Sequence, residues 1–137
     1  MITLSSKCIY GLAALIELAM LPEGTSLSIK QIAKTASIPE HYLRQLVASL
    51  KRAGMVKITR GNVGGCALSL PASNIIIKDV IEKLDGPFTL QKTNIKDPTL
   101  KTYLAERQTK IEAVFEQTLE ELVAERRRQA QTIAYNI

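Results

Sequence analysis

A chain of 137 residues, 46% of them apolar, is long enough to close one core and too apolar to remain disordered. Two cysteines and one histidine exclude a disulfide framework and a zinc site built on such ligands. The formal charge of +5 is unevenly placed: residues 1–70 carry eight Lys/Arg against three Asp/Glu, and residues 71–137 carry ten of each. Excess positive charge, as a phosphate-binding module needs, is thus confined to the first half.

Ser5 and Ser6 are candidate caps for a first helix over Thr3–Leu21, with Ile9, Leu12, Ala13, Ile16, Ala19 and Met20 recurring at helical spacing. Pro22-Glu23-Gly24 ends it. Ser28 and Gln31 form a capping-box pair that predicts a helix over residues 29–36, with Ile29, Ile32, Ala33 and Ala36 inward. Ser37 and Glu40 repeat that spacing, with Pro39 in the first turn, and predict a helix from Ile38 to about Ala53. Its inward face is Leu43, Leu46, Val47 and Leu50, and Gly54 is placed as a left-handed stop. So short a connection makes the two helices cross steeply, as in a helix-turn-helix. The outward face of the second holds Glu40, His41, Arg44, Gln45 and Ser49 and ends in Lys51 and Arg52. Arg and Gln have the paired donor geometry that reads guanine and adenine edges.

Met55–Thr59 and Cys66–Leu70 alternate like strands around Arg60-Gly61-Asn62-Val63-Gly64-Gly65. Directly after a helix-turn-helix, such a hairpin is a wing, and Arg60 at its base suits a narrow minor groove. Residues 75–84, rich in Ile75, Ile76, Ile77, Val80, Ile81 and Leu84, predict a short helical piece ended by Gly86-Pro87. Phe88–Pro98 reads as a loop. Asp97-Pro98-Thr99 then opens a single long helix to about Arg128, with Leu100, Leu104, Ile111, Phe115, Leu119 and Leu122 in a stripe and Val114 and Val123 beside it. The expected class is mainly α with a small β wing: a DNA-binding domain over 1–87, a linker over 88–98, and a dimerisation helix with tail over 99–137.

No apolar run reaches membrane-spanning length and no signal-type N-terminus is legible, so a cytoplasmic protein with no membrane partner is expected. One histidine, no Ser/His/Asp or Cys/His arrangement, and a GNVGG turn without the lysine of a phosphate-binding loop argue against an enzyme. A protein-binding adaptor that no longer touches DNA is the weaker alternative, since both basic elements are retained.

Several motifs jointly carry a family resemblance: Ser6-Lys7 and Tyr10, Ser28–Ala33, Tyr42-Leu43 with Gln45-Leu46, Ala53-Gly54, Arg60-Gly61, Gly64-Gly65, Asp79-Val80-Ile81 and Leu84-Asp85-Gly86-Pro87. Together they resemble the Rrf-two family of bacterial winged-helix repressors over about residues 1–88. The resemblance implies a homodimer on double-stranded operator DNA. It places Tyr42, Gln45 and Arg60 at DNA, with Ser5, Lys7 and Ser37 as phosphate contacts. Ser28, Glu40, His41, Arg44, Ser49, Lys51, Gly61, Asn62, Gly64 and Gly65 complete the expected surface, and Leu104, Ile111, Phe115, Leu119 and Leu122 the expected dimer seam. Arg44 departs from the Glu of many relatives, and Cys66 from an aromatic residue.

Some members hold an iron–sulfur cluster through three cysteines before the dimer helix. Phe88–Tyr103 has none here, so no cofactor is expected. The chain therefore resembles the cluster-free branch that controls cysteine metabolism. By that resemblance the tail Tyr135-Asn136-Ile137 is a candidate ligand for cysteine synthase, through capture of a terminal carboxylate. The composition makes Cys8 and Cys66 buried, inert cysteines, and the alternative is that they act as redox switches, since nearby basic residues can lower a thiol pKa.

Overall fold

The computed structural model describes residues 3–60 and 64–136. Six helices and one hairpin follow in the order α1 (Ser6–Ala19), α2 (Ile29–Ala36), α3 (Glu40–Arg52), β1 (Val56–Thr59), β2 (Gly65–Leu68), α4 (Ile77–Asp85), α5 (Pro98–Ala113) and α6 (Leu119–Asn136). A single 3₁₀ turn over Ala72–Asn74 precedes α4.

Helix α1 is the hub: α2, α3, α4, α6 and β2 all pack on it. Of the six residues at helical spacing, Leu12, Ala13, Ile16 and Ala19 pack partly buried against the core, and the fully buried side lies beside them. Cys8, Gly11, Ala14, Leu15 and Leu18 are buried, while Ile9 is 50% exposed. A helix apolar almost all round has no single stripe, so periodicity cannot choose its buried face. Ser5 caps it, accepting from the Cys8 N–H at 3.0 Å.

Helix α2 begins with the expected capping box. Ser28 Oγ accepts from the Gln31 N–H at 3.1 Å, and Gln31 Oε1 accepts from the Ser28 N–H at 2.9 Å. The second box, Ser37 with Glu40, does not form. Ser37 closes α2 in the left-handed region at φ 56, and α3 starts at Glu40 after Pro39 with no side-chain cap. The cause is local: a residue before proline is pushed out of the helical region, so Ile38 cannot begin the helix. The rest of α3 is as expected, with Leu43, Leu46, Val47 and Leu50 buried and Gly54 left-handed at φ 78.

The hairpin pairs Val56 with Leu68, Lys57 with Ala67, Ile58 with Cys66 and Thr59 with Gly65. Leu27 adds one further rung, exchanging backbone hydrogen bonds with Cys66 at 3.0 and 2.6 Å. A Cβ on Gly65 would stand 2.7 Å from the Leu27 carbonyl oxygen, so only glycine lets these backbones meet.

The expected long helix is broken in two. Thr118 Oγ1 accepts from the Glu121 N–H at 3.2 Å and Glu121 Oε2 accepts from the Thr118 N–H at 2.9 Å, a capping box that starts α6. The freed backbone of the break docks on the start of α4. Ile77 N donates to Gln117 O at 2.9 Å, Lys78 N to Phe115 O at 2.8 Å, and Leu119 N to Ile75 O at 2.8 Å. Helix α6 then folds back on α1, burying Leu119 and Val123 and joining Arg126 Nη1 to Glu17 Oε1 at 2.5 Å.

Candidate nucleic-acid interface

Because one side of α3 is sealed in the core, its other side is fixed toward solvent. His41, Arg44, Gln45, Lys51 and Arg52 are exposed there, and Glu40 and Ser49 are half-buried. Tyr42 anchors the first turn, its ring set edge-on to Tyr10 of α1 with centroids 5.5 Å apart and planes at 77°. That contact brings α1 alongside the exposed face: Lys7, Tyr42, Gln45, Ser49 and Arg52 line one cleft. Ser49 Oγ donates to the Gln45 carbonyl at 3.3 Å and accepts from Arg52 Nη2 at 3.2 Å, which lays the guanidinium along the helix. One turn earlier, Arg44 Nη2 meets Glu40 Oε1 at 2.7 Å. The cleft thus brings together two cations, two neutral polar side chains and a tyrosine from α1 and α3.

Arg60 is exposed where β1 enters the turn, with Lys57 exposed on the same strand. Thr59 Oγ1 closes the base of the turn, donating to Gly65 O at 3.0 Å and accepting from Gly65 N at 3.1 Å. Gly61 and Asn62 lie outside the described residues. Gly64 is exposed.

These positions correct two expected contacts and turn the structure against one alternative. Ser5 is not a free phosphate donor: its hydroxyl donates to Asp85 Oδ1 while accepting from Cys8 N, and its N–H donates to Asp85 Oδ2 at 2.9 Å. Gly65 is buried against Leu27, so it shapes the wing from inside. Cys8 and Cys66 are buried free thiols. Burial, with the Asp85 charge adding to it, raises the Cys8 pKa from 9.0 to about 11, and burial raises that of Cys66. Neither is the exposed, low-pKa thiol of a redox sensor. Ser28 and Ser37 keep exposed or half-buried positions at the two ends of α2.

The expected seam residues separate. Leu119 is fully buried within this chain's own core, and Leu122 and Phe115 pack against that core, so these three hold α6 and the break in place. Leu104 and Ile111 stay half-buried on α5, which buries none of its residues completely. The tail is helical through Asn136, with Tyr135 92% exposed, and Ile137 lies outside the described residues.

Two features gave no expectation from sequence. Gln108 of α5 clamps the linker, accepting from Leu90 N at 2.9 Å and donating to Phe88 O at 2.5 Å, while Phe88 stacks on Phe115 at 5.3 Å. The Glu17–Arg126 pair ties α1 to α6 across 109 residues. Neither partner set has a local pattern that would flag it.

A family model described as Rrf2, iron-dependent transcriptional regulator, matches residues 4–125. The regulator CymR of Bacillus subtilis (strain 168) is 43% identical over 86 residues, 63% of this chain and 62% of that protein, so the match spans just under two thirds of the relative. The solved structure of CymR, the global cysteine regulator of B. subtilis, superposes with a TM-score of 0.82 at 35% identity, covering 90% of this chain and 98% of the other. IscR of T. potens superposes with a TM-score of 0.74 at 30% identity, covering 90% and 88%. The iron named in the family description does not fit this donor set. The chain has two cysteines, both in the core on separate elements, and among the described residues no group of three or more His, Cys, Asp or Glu could hold a metal ion. No helix of the described residues is long and apolar enough to cross a membrane. With the winged helix-turn-helix in place and the family model matched over most of its length, the chain belongs to the Rrf2 family of transcriptional regulators, and not to a family of enzymes.

Proposed function

We propose that this chain is a sequence-specific DNA-binding regulator that acts as a dimeric repressor in the cytoplasm, without an iron–sulfur cluster, in the control of cysteine metabolism. The observation that carries the DNA-binding reading is the solvent face of α3, where Lys7, Gln45, Ser49 and Arg52 share one cleft and the exposed wing cation Arg60 follows. Phosphate contacts by Lys7, Lys51, Arg52 and Arg60 would supply most of the affinity, and base contacts from α3 the sequence preference. Dimerisation through α5 is supported by its exposed apolar residues: Leu100 and Tyr103 are 47% and 52% exposed on a helix that buries nothing fully in its own chain, and Val114 at its C-cap is 60% exposed. A two-fold pairing there would present two copies of α3 to two half-sites. Cysteine control is supported by the likeness to a protein described as the global cysteine regulator of B. subtilis.

The partner reading follows from the tail. Tyr135 and Asn136 are exposed at the end of α6, which supports capture of the tail by cysteine synthase. Deleting Asn136 and Ile137 should abolish co-purification with cysteine synthase while the sedimentation of the regulator stays unchanged. Co-purification that persists after the deletion would refute this partner. DNA binding itself is tested by gel shift of the full chain on duplexes from upstream of its own gene. A retarded, competitor-resistant band is expected, whereas binding no tighter than to unrelated DNA would favour the adaptor reading.

A further inference from the structure

We infer that Arg44 reads a guanine in the major groove, and that Glu40 is a positioning residue that confines Arg44 to that role. The inference rests on the DNA-binding reading and deepens it. Arg44 and Glu40 both lie on the solvent side of α3, 62% and 41% exposed, and form an i,i+4 pair at 2.7 Å through a single guanidinium nitrogen. An arginine has five N–H donors. One is committed to Glu40, and four are left, whereas the fork that matches guanine O6 and N7 uses two.

The pair also sets what Arg44 does not do. Glu40 stands in the first turn of α3, where its charge suits the helix N-terminus and repels a phosphate. A neutralised guanidinium beside a carboxylate is a poor backbone contact. Lys7, Lys51 and Arg52, by contrast, have no ion-pair partner among the described residues. Two classes of cation therefore occupy the same face: unpaired ones that gain from any phosphate, and Arg44, which gains only where a base edge replaces water. Non-specific DNA leaves the Glu40–Arg44 pair idle, and a correctly placed guanine engages it. The pair is exposed and contributes little to folding, so both side chains are open to substitution.

The test is a selection from a randomised duplex pool with the full-length chain and with Arg44→Ala, Arg44→Lys and Glu40→Ala. Affinities for the most enriched duplex and for its scrambled version are then measured at several salt concentrations. The wild type should enrich one G·C pair in each half-site that both Arg44 variants cease to select, other positions being kept. Arg44→Ala should weaken the enriched duplex roughly ten- to a hundredfold and leave the scrambled duplex and its salt slope nearly unchanged. Glu40→Ala should tighten scrambled DNA and so shrink the ratio between the two. Loss of both duplexes in proportion, with a shallower salt slope, would make Arg44 a phosphate contact and overturn the inference. An unchanged motif in Arg44→Ala would overturn it as well. A wild type that enriches nothing would overturn the DNA-binding reading along with it.

Discussion

At the residue scale, charge and hydrogen-bond inventory separate the working side chains from those that build the fold. Arg60 is exposed at the root of the wing and free of the packing that engages Ser5 and Gly65. Arg60→Ala should weaken operator binding and lower the slope of log affinity against log salt by about 0.9, the release of one counterion. Anisotropy titrations at four salt concentrations measure this, and parallel slopes would remove Arg60 from the interface. The thiols give a different expectation. The Cys8 pKa is raised from 9.0 to about 11, so its contribution to stability is fully present below pH 9 and is lost as the pH rises toward 11, where only the unfolded thiol ionises at first. Urea midpoints from pH 8 to 11 should fall over that window, and Cys8→Ser should flatten the fall. Both native thiols should resist an alkylating reagent at neutral pH until the chain is unfolded.

At the scale of elements, the break between α5 and α6 organises the second half of the molecule. It exists because Thr118 and Glu121 cap a new helix while the loosened backbone pairs with the start of α4. Thr118→Ala should cost about 1 kcal/mol of stability, the usual value of a lost N-cap, measured by chemical denaturation. A cost near zero would mean that the backbone pairing alone holds the break. Helix α5 leaves Leu100 and Tyr103 exposed, and Leu100→Asp together with Tyr103→Asp should convert a dimer to a monomer in sedimentation while leaving the helical content intact. Persistence of the dimer would move the seam off α5. The capping box at Thr118 was legible in the sequence as Thr-Leu-Glu-Glu, but an unbroken apolar stripe from Leu100 to Leu122 outweighs it when only periodicity is considered.

At the scale of the whole molecule, α1 is the mast to which α3, the hairpin and the C-terminal helix are all attached. The Tyr10–Tyr42 contact fixes α3 to one side of it, and the Glu17–Arg126 pair fixes α6 to another. Replacing Glu17 with Gln should loosen α6 and raise hydrogen exchange along its first two turns, with exchange in α3 rising less. Uniform protection in both would leave α6 held by Leu119 and Val123 alone.

The sequence by itself determined the elements whose signals are local. The Ser28–Gln31 box, the Leu43/Leu46/Val47/Leu50 stripe, the Gly54 stop, the pairing of the two short strands and the Asp97-Pro98 helix start all act within a few residues of one another, and each formed as expected. Local chemistry also set the outward face of α3, because its inward face was unambiguous. What only the tertiary structure decided is whatever depends on partners distant in the chain. The buried side of α1 was set by five neighbours rather than by its own period, and the Ser5 hydroxyl was taken by Asp85, 80 residues away. Leu119 was claimed by the chain's own core. A hydrophobic stripe states that it must be covered, and only the folded chain decides which surface covers it.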